Sequence, residues 1–176
     1  MNTINKRLPF KKAFKYEAKT TSISIIKSQL KKMPMKTAVI DDFGYTMTAK
    51  FMSEHSTTKD GFGLYNQIAD NVYDLIMFVK TELPEDVIVY FMFHEDASDN
   101  GETRLKTIGR LLTEKVCLEG MVTICLRSMK DPSGRYYFRT QSDGFDISKS
   151  PEGMFELEIE NDLKFVDSTI REFWGL

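Results

Sequence analysis

Thr37-Ala38-Val39-Ile40-Asp41-Asp42 decides the fold class, because a short apolar segment runs straight into two carboxylates. Val and Ile are branched at Cβ and sit well on a pleated surface, and an apolar run without polar alternation is the pattern of a buried strand. Just upstream, Pro34 ends a helix expected from about Thr20 to Lys32, in which Ile23, Ile26 and Leu30 recur at helical spacing. Downstream, Leu64, Ile68, Val72, Leu75, Ile76 and Val79 mark one apolar stripe of a longer helix that stops near Pro84. Gly61-Phe62-Gly63 reads as the loop before that helix. Val87 to Phe93 is a second unbroken apolar run, expected as a central strand of a covered sheet, with His94, Glu95 and Asp96 at its end.

The alternation continues with a helix placing Leu105, Ile108, Leu112 and Val116 inward, followed by an apolar strand from Met121 to Leu126. Asp131-Pro132-Ser133-Gly134 is a turn signal between Val122–Met129 and Arg135–Thr140, which predicts a hairpin. Near the end, Leu163, Val166, Ile170 and Phe173 share one helix face, with Asn161 or Asp162 as the cap and Trp174 as a terminal anchor. The expected architecture is a single α/β domain over 1–176: a mainly parallel sheet flanked by helices, then a hairpin and a terminal helix.

A chain of 176 residues can bury a sizeable core without staples. Two cysteines, Cys117 and Cys125, and two histidines, His55 and His94, exclude a disulfide framework, a zinc ribbon and a His-rich metal cage. Neither metal nor cofactor is expected, and the cysteines read as small buried hydrophobes. The methionines read as core filler, with Met47 and Met52 in a loop-rich region as the two placed to face a partner. Met1 to Phe10 has no apolar leader and no stretch is long enough to cross a bilayer, so a cytoplasmic protein without membrane contact is expected.

Charge is divided unevenly. Residues 1–36 hold ten Lys or Arg against the single Glu17, a balance of +9, while the remaining fourteen basic and twenty-five acidic residues give −11. Such a basic head suits phosphates or an acidic protein, and equally suits folding back onto the chain's own acidic surface. Lys11, Lys12, Lys15, Lys19 and Lys27, interleaved with Phe10, Phe14 and Tyr16, are spaced for contact with single-stranded nucleic acid or for core burial of the rings.

Ligands of open α/β sheets gather outside the carboxyl ends of the strands, which singles out Asp41, Asp42, His94 and Glu95. An apolar strand ending in Asp-Asp has the spelling of a Walker B strand, whose carboxylate holds magnesium through water. It also has the spelling of a carboxylate that caps the next turn. His94 and Glu95 are suited to sensing a phosphate or to satisfying loop amides.

The order of several segments is more specific than any of them alone. Asn5-Lys6-Arg7-Leu8-Pro9-Phe10, Ile40-Asp41-Asp42-Phe43, Phe93-His94-Glu95, Lys106-Thr107-Ile108-Gly109-Arg110 and Arg135-Tyr136-Tyr137-Phe138 follow one another. Lys149-Ser150-Pro151-Glu152-Gly153-Met154-Phe155 and Asn161-Asp162-Leu163 complete the series. Over nearly its whole length the chain resembles the P-loop (AAA/RecA-like) ATPases that phages encode beside their recombination genes. The resemblance implies a RecA-type core in which Asp41 and Asp42 match the Walker B acids, His94 and Glu95 match a strand-end polar pair, and Lys149 lies near a subunit-contacting segment.

The same family carries a strand, a Gly-rich loop ending in Gly-Lys-Ser or Gly-Lys-Thr, and a helix ahead of the Leu-Pro-Phe segment. Only four residues precede Asn5 here, and the sequence contains no Gly-x4-Gly-Lys-Ser/Thr. The nearest match, Gly144-Phe145-Asp146-Ile147-Ser148-Lys149-Ser150, has Ser148 in place of the second glycine. Without consecutive amides, a helix N-terminus and a lysine converging on the phosphates, ATP hydrolysis is not expected. The missing strand is expected to leave sheet edges closed by the N-terminal segment, by re-pairing or by a homodimer. The expectation is a vestigial nucleotide site at Asp41, Asp42, His94 and Glu95 on a protein that binds macromolecules. Lys6, Arg7, Lys11, Lys12, Lys15, Lys19 and Lys149 are its candidate contacts to DNA or to a host defence nuclease, as in an anti-CRISPR inhibitor. The alternatives are an ATP-dependent recombination ATPase and a single-stranded DNA-binding protein.

Overall fold

The computed structural model describes residues 17–98, 100–109 and 111–176. Lys6, Arg7, Lys11, Lys12 and Lys15, with Phe10, Phe14 and Tyr16, lie outside the described residues, and so does any closure of the sheet by the N-terminal segment. The fold is mixed α/β. The chain divides into two compact units, one running to His94 and resuming at Lys106–Cys117, the other made of Glu95–Leu105 and Leu118–Leu176.

In the first unit, α1 (Ile23–Lys32) buries Ile26 and Leu30 and ends at Met33, one residue before Pro34. Strand β1 (Thr37–Ile40) pairs in parallel with β2 (Ile88–Phe91), in register from Thr37 opposite Ile88 to Ile40 opposite Phe91. Parallel neighbours need a long crossover, supplied by α2 (Gly44–Glu54) and α3 (Gly61–Glu82). The α3 stripe is the core of this unit: Leu64, Ile68, Val72, Leu75 and Ile76 are buried, as the periodicity predicts. The Asp60 carboxylate accepts the Gly63 amide at 2.8 Å, so Gly61-Phe62-Gly63 forms the first turn of α3 and not a loop. Helix α2 replaces the expected loop-rich region. Its Met47 is buried, whereas Met52 is 59% exposed.

Strand β2 is shorter than the Val87–Phe93 run and half-buried at every position, so it is not covered as a central strand would be. The expected helix through Leu105 and Val116 does not form. Gly109 takes φ +88°, and a Cβ there would lie 3.0 Å from the Tyr65 ring, so the segment turns at this glycine. Only a five-residue π-type turn, Leu112–Val116, follows, with Leu112 buried. Cys117 ends it at φ +53° and is exposed, contrary to its expected burial.

The second unit is antiparallel. Strand β3 (Glu95–Ala97) pairs with β4 (Thr103–Leu105), and β5 (Arg127–Lys130), β6 (Tyr136–Arg139) and β7 (Glu158–Glu160) form a sheet in the order β5-β6-β7. Five-residue connections join β3 to β4 and β5 to β6 and force the antiparallel sense there, and β7 returns antiparallel to β6 after a longer segment, so the described sheets are not mainly parallel. The Met121–Leu126 strand is also absent: Leu118–Met121 is a short 3-10 turn and Cys125 makes one isolated bridge to Lys149. An apolar run fixes burial but not a ladder.

The expected hairpin is present, and its turn is held by Asp131, which accepts from the Ser133 hydroxyl at 2.6 Å and from the Arg135 amide at 2.9 Å. The Ser133 hydroxyl and the Arg135 guanidinium and amide pull the Asp131 carboxyl down to about 2. Helix α4 (Leu163–Trp174) is capped by Asp162, which accepts the Lys164 amide at 2.7 Å, and it buries Val166 and Ile170. Phe173 and Trp174 are 44% and 45% exposed at its end, so Trp174 is no anchor. Among the described residues no helix is long and apolar enough to cross a membrane.

Candidate functional site

The carboxyl ends of β1 and β2 extend beyond their strands through two further hydrogen bonds, from the Met92 amide to Ile40 O at 2.9 Å and from the Phe43 amide to Met92 O at 2.8 Å. Asp42 sits between them at φ +51°, a left-handed conformation that aspartate tolerates better than most residues. Its carbonyl accepts the Tyr45 amide at 2.9 Å and so opens α2. Held this way, Asp42 Oδ1 accepts from His94 Nε2 at 3.1 Å. The Tyr45 ring meets the imidazole edge-on, with centroids 6.0 Å apart. Asp42 is 23% exposed and His94 62% exposed, so the pair lies at the surface.

The four strand-end residues are divided between the two units. Asp42 and His94 are brought together, and Asp41 lies beside them in sequence, half-buried. Glu95 belongs to the second unit, where the Arg127 guanidinium grips it in bidentate fashion, at 2.8 and 3.0 Å. Lys149 pairs through its backbone with Cys125, and Lys19 is exposed. Lys31 and Lys36 of the basic head are bound to Glu82 and Asp86 at 2.6 and 2.9 Å, so part of that charge does fold back onto the chain's own acids.

A magnesium–nucleotide site needs several oxygen ligands and a cradle of amides for the phosphates. Among the described residues no group of three or more His, Cys, Asp and Glu is arranged to hold a metal ion, and Asp42 spends one oxygen on His94. Asp41, Asp42 and His94 therefore do not by themselves fit such a group.

A buried electrostatic cluster that was not among the sequence candidates lies in the second unit. The Asp146 side chain is 0% exposed and bridges Arg139, at 3.2 Å, and Arg127, at 3.5 Å. Its Oδ1 accepts the Ser148 amide at 2.9 Å. Burial alone would raise the Asp146 carboxyl; the Ser148 amide and the two guanidinium charges outweigh it and hold the group below the usual aspartate range. Outside, Glu95 grips Arg127 and Asp143 grips Arg139, which raises both arginines further. The available signal was one arginine in each of the two hairpin strands, Arg127 and Arg139, with two aspartates, Asp143 and Asp146, following the second strand.

The chain matches no protein-family model, no curated protein and no solved structure.

Proposed function

We propose that the chain is a RecA-like core of the phage recombination type that works by binding macromolecules in the host cytoplasm, not by nucleotide chemistry of its own. The observation that carries this is the state of the strand ends. Asp42 and His94 engage each other at 3.1 Å, and the sequence supplies no Gly-Lys-Ser/Thr loop to complete a phosphate site. The β1–helix–β2 crossover with polar residues at its carboxyl ends supports the RecA-like reading of this unit. The partner class is a host defence nuclease, bound in the manner of an anti-CRISPR inhibitor, with DNA as a further contact.

Pull-down and DNA-cleavage assays with purified effector nucleases test this. The expected result is stoichiometric capture and loss of cleavage with at least one nuclease; neither capture nor inhibition across the set would overturn the nuclease assignment.

A second reading is favoured by one observation, the parallel adjacency of the Asp-bearing and His-bearing strands. It makes the chain part of an ATP-dependent recombination enzyme whose phosphate loop comes from another polypeptide. Binding of magnesium-ATP would separate the two.

A further inference from the structure

The first unit carries a partly exposed set of rings along α2 and α3. In α2 the Phe51 ring stacks on His55, with centroids 5.0 Å apart and planes at 14°, and it leans on Tyr65 of α3 at 5.5 Å and 30°. His55 Nδ1 lies 3.1 Å from Phe51 O, which fixes the imidazole over the phenyl ring. Phe62, one turn before Tyr65 on α3, is 77% exposed; Tyr65 is 37% exposed, and Met52 beside Phe51 is 59% exposed. The acids of this stretch are engaged, Glu54 by Lys50 at 2.5 Å and Asp60 by the Gly63 amide at 2.8 Å. Lys59, between them in sequence, is exposed and has no acid partner among the described residues.

We infer that this set of rings is a stacking platform for the bases of single-stranded nucleic acid, with Lys59 placed for the phosphate backbone. Flat exposed rings already at stacking separation accept a base of any sequence, and a neighbouring cation without an acid suits the polyanion. The inference deepens the DNA contact proposed above and rests on it. It assigns that contact to α2 and α3, whereas the sequence placed it on the basic head and Lys149.

The test is fluorescence anisotropy of a labelled oligothymidine with the full chain, the Phe62→Ala/His55→Ala double variant and Lys59→Gln, each checked for folding by circular dichroism. Both ring positions are exposed, so folding is expected to survive. The double variant is expected to bind roughly tenfold or more weakly, because two base-stacking surfaces are lost. Its dependence of affinity on salt should match the parent, since no phosphate contact is removed, while Lys59→Gln should flatten that dependence. Parent-like affinity in the double variant would overturn the platform and leave DNA contact through the basic head standing. No oligothymidine binding by the parent chain would overturn both the platform and the DNA contact, with nuclease capture still judged by its own assay. A double variant that loses nuclease capture but keeps DNA binding would likewise overturn it and make the set of rings a protein interface.

Discussion

Asp146→Asn is expected to cost the second unit about 3 kcal/mol, because it leaves two guanidinium groups without the buried carboxylate that joins them. Arg127 and Arg139 come from adjacent strands, and their side chains are only 22% and 24% exposed, so water replaces the lost partner poorly. The amide of asparagine keeps the shape and can still accept from Ser148 N, which isolates the charge from the packing. Urea unfolding at neutral pH reads the effect, and a loss below about 1 kcal/mol would show that Glu95 and Asp143 alone hold the arginines. The pH dependence has a fixed sign. The folded carboxyl lies below the ordinary aspartate value, so its stabilisation is present above about pH 4 and is lost as pH falls through the lower folded value. The gap between parent and Asp146→Asn should therefore narrow only under acid conditions.

Phe43→Ala should have the largest effect in the first unit. Phe43 is 0% exposed and meets Phe91 and Phe93 edge-on, with centroids at 5.0 and 5.2 Å. Removing a buried phenyl costs about 3–5 kcal/mol, through lost transfer energy and the cavity left behind. Phe43→Leu fills most of that space and should cost about half as much or less. Phe43 also follows Asp42 directly, and its amide donates to Met92 O, so the residue whose ring fills the core also pins the backbone next to Asp42. Urea unfolding of the two variants checks the order; equal losses would mean that the site backbone, and not the ring volume, dominates.

How far the sequence went is clearest from particular residues. Thr37–Ile40, the α3 stripe and the Asp131–Gly134 turn were legible because each rests on local chemistry: branched side chains, a 3.6-residue period, and a carboxylate that folds back on its own turn. Helix α2 was missed because its buried residues, Thr46 and Met47, make a narrow apolar face among polar neighbours. The Leu105–Val116 helix was expected because its apolar spacing is helical, but Gly109 at φ +88° and the pairing of Thr103–Leu105 with Glu95–Ala97 override that spacing. The meeting of Asp42 with His94 followed from reading both as strand ends. The engagement of Glu95 by Arg127 did not, because the two lie thirty-two residues apart in sequence. Asp146 was hidden because its two arginines, Arg139 and Arg127, converge on it only once β5 and β6 are paired.

The proposal that this chain has no nucleotide chemistry of its own is tested most directly by isothermal titration of the purified chain with magnesium-ATP, alongside Asp41→Ala and a turnover assay. The expected result is no saturable heat and no phosphate release from either protein. Saturable binding that Asp41→Ala abolishes, or phosphate released by the parent chain alone, would contradict it.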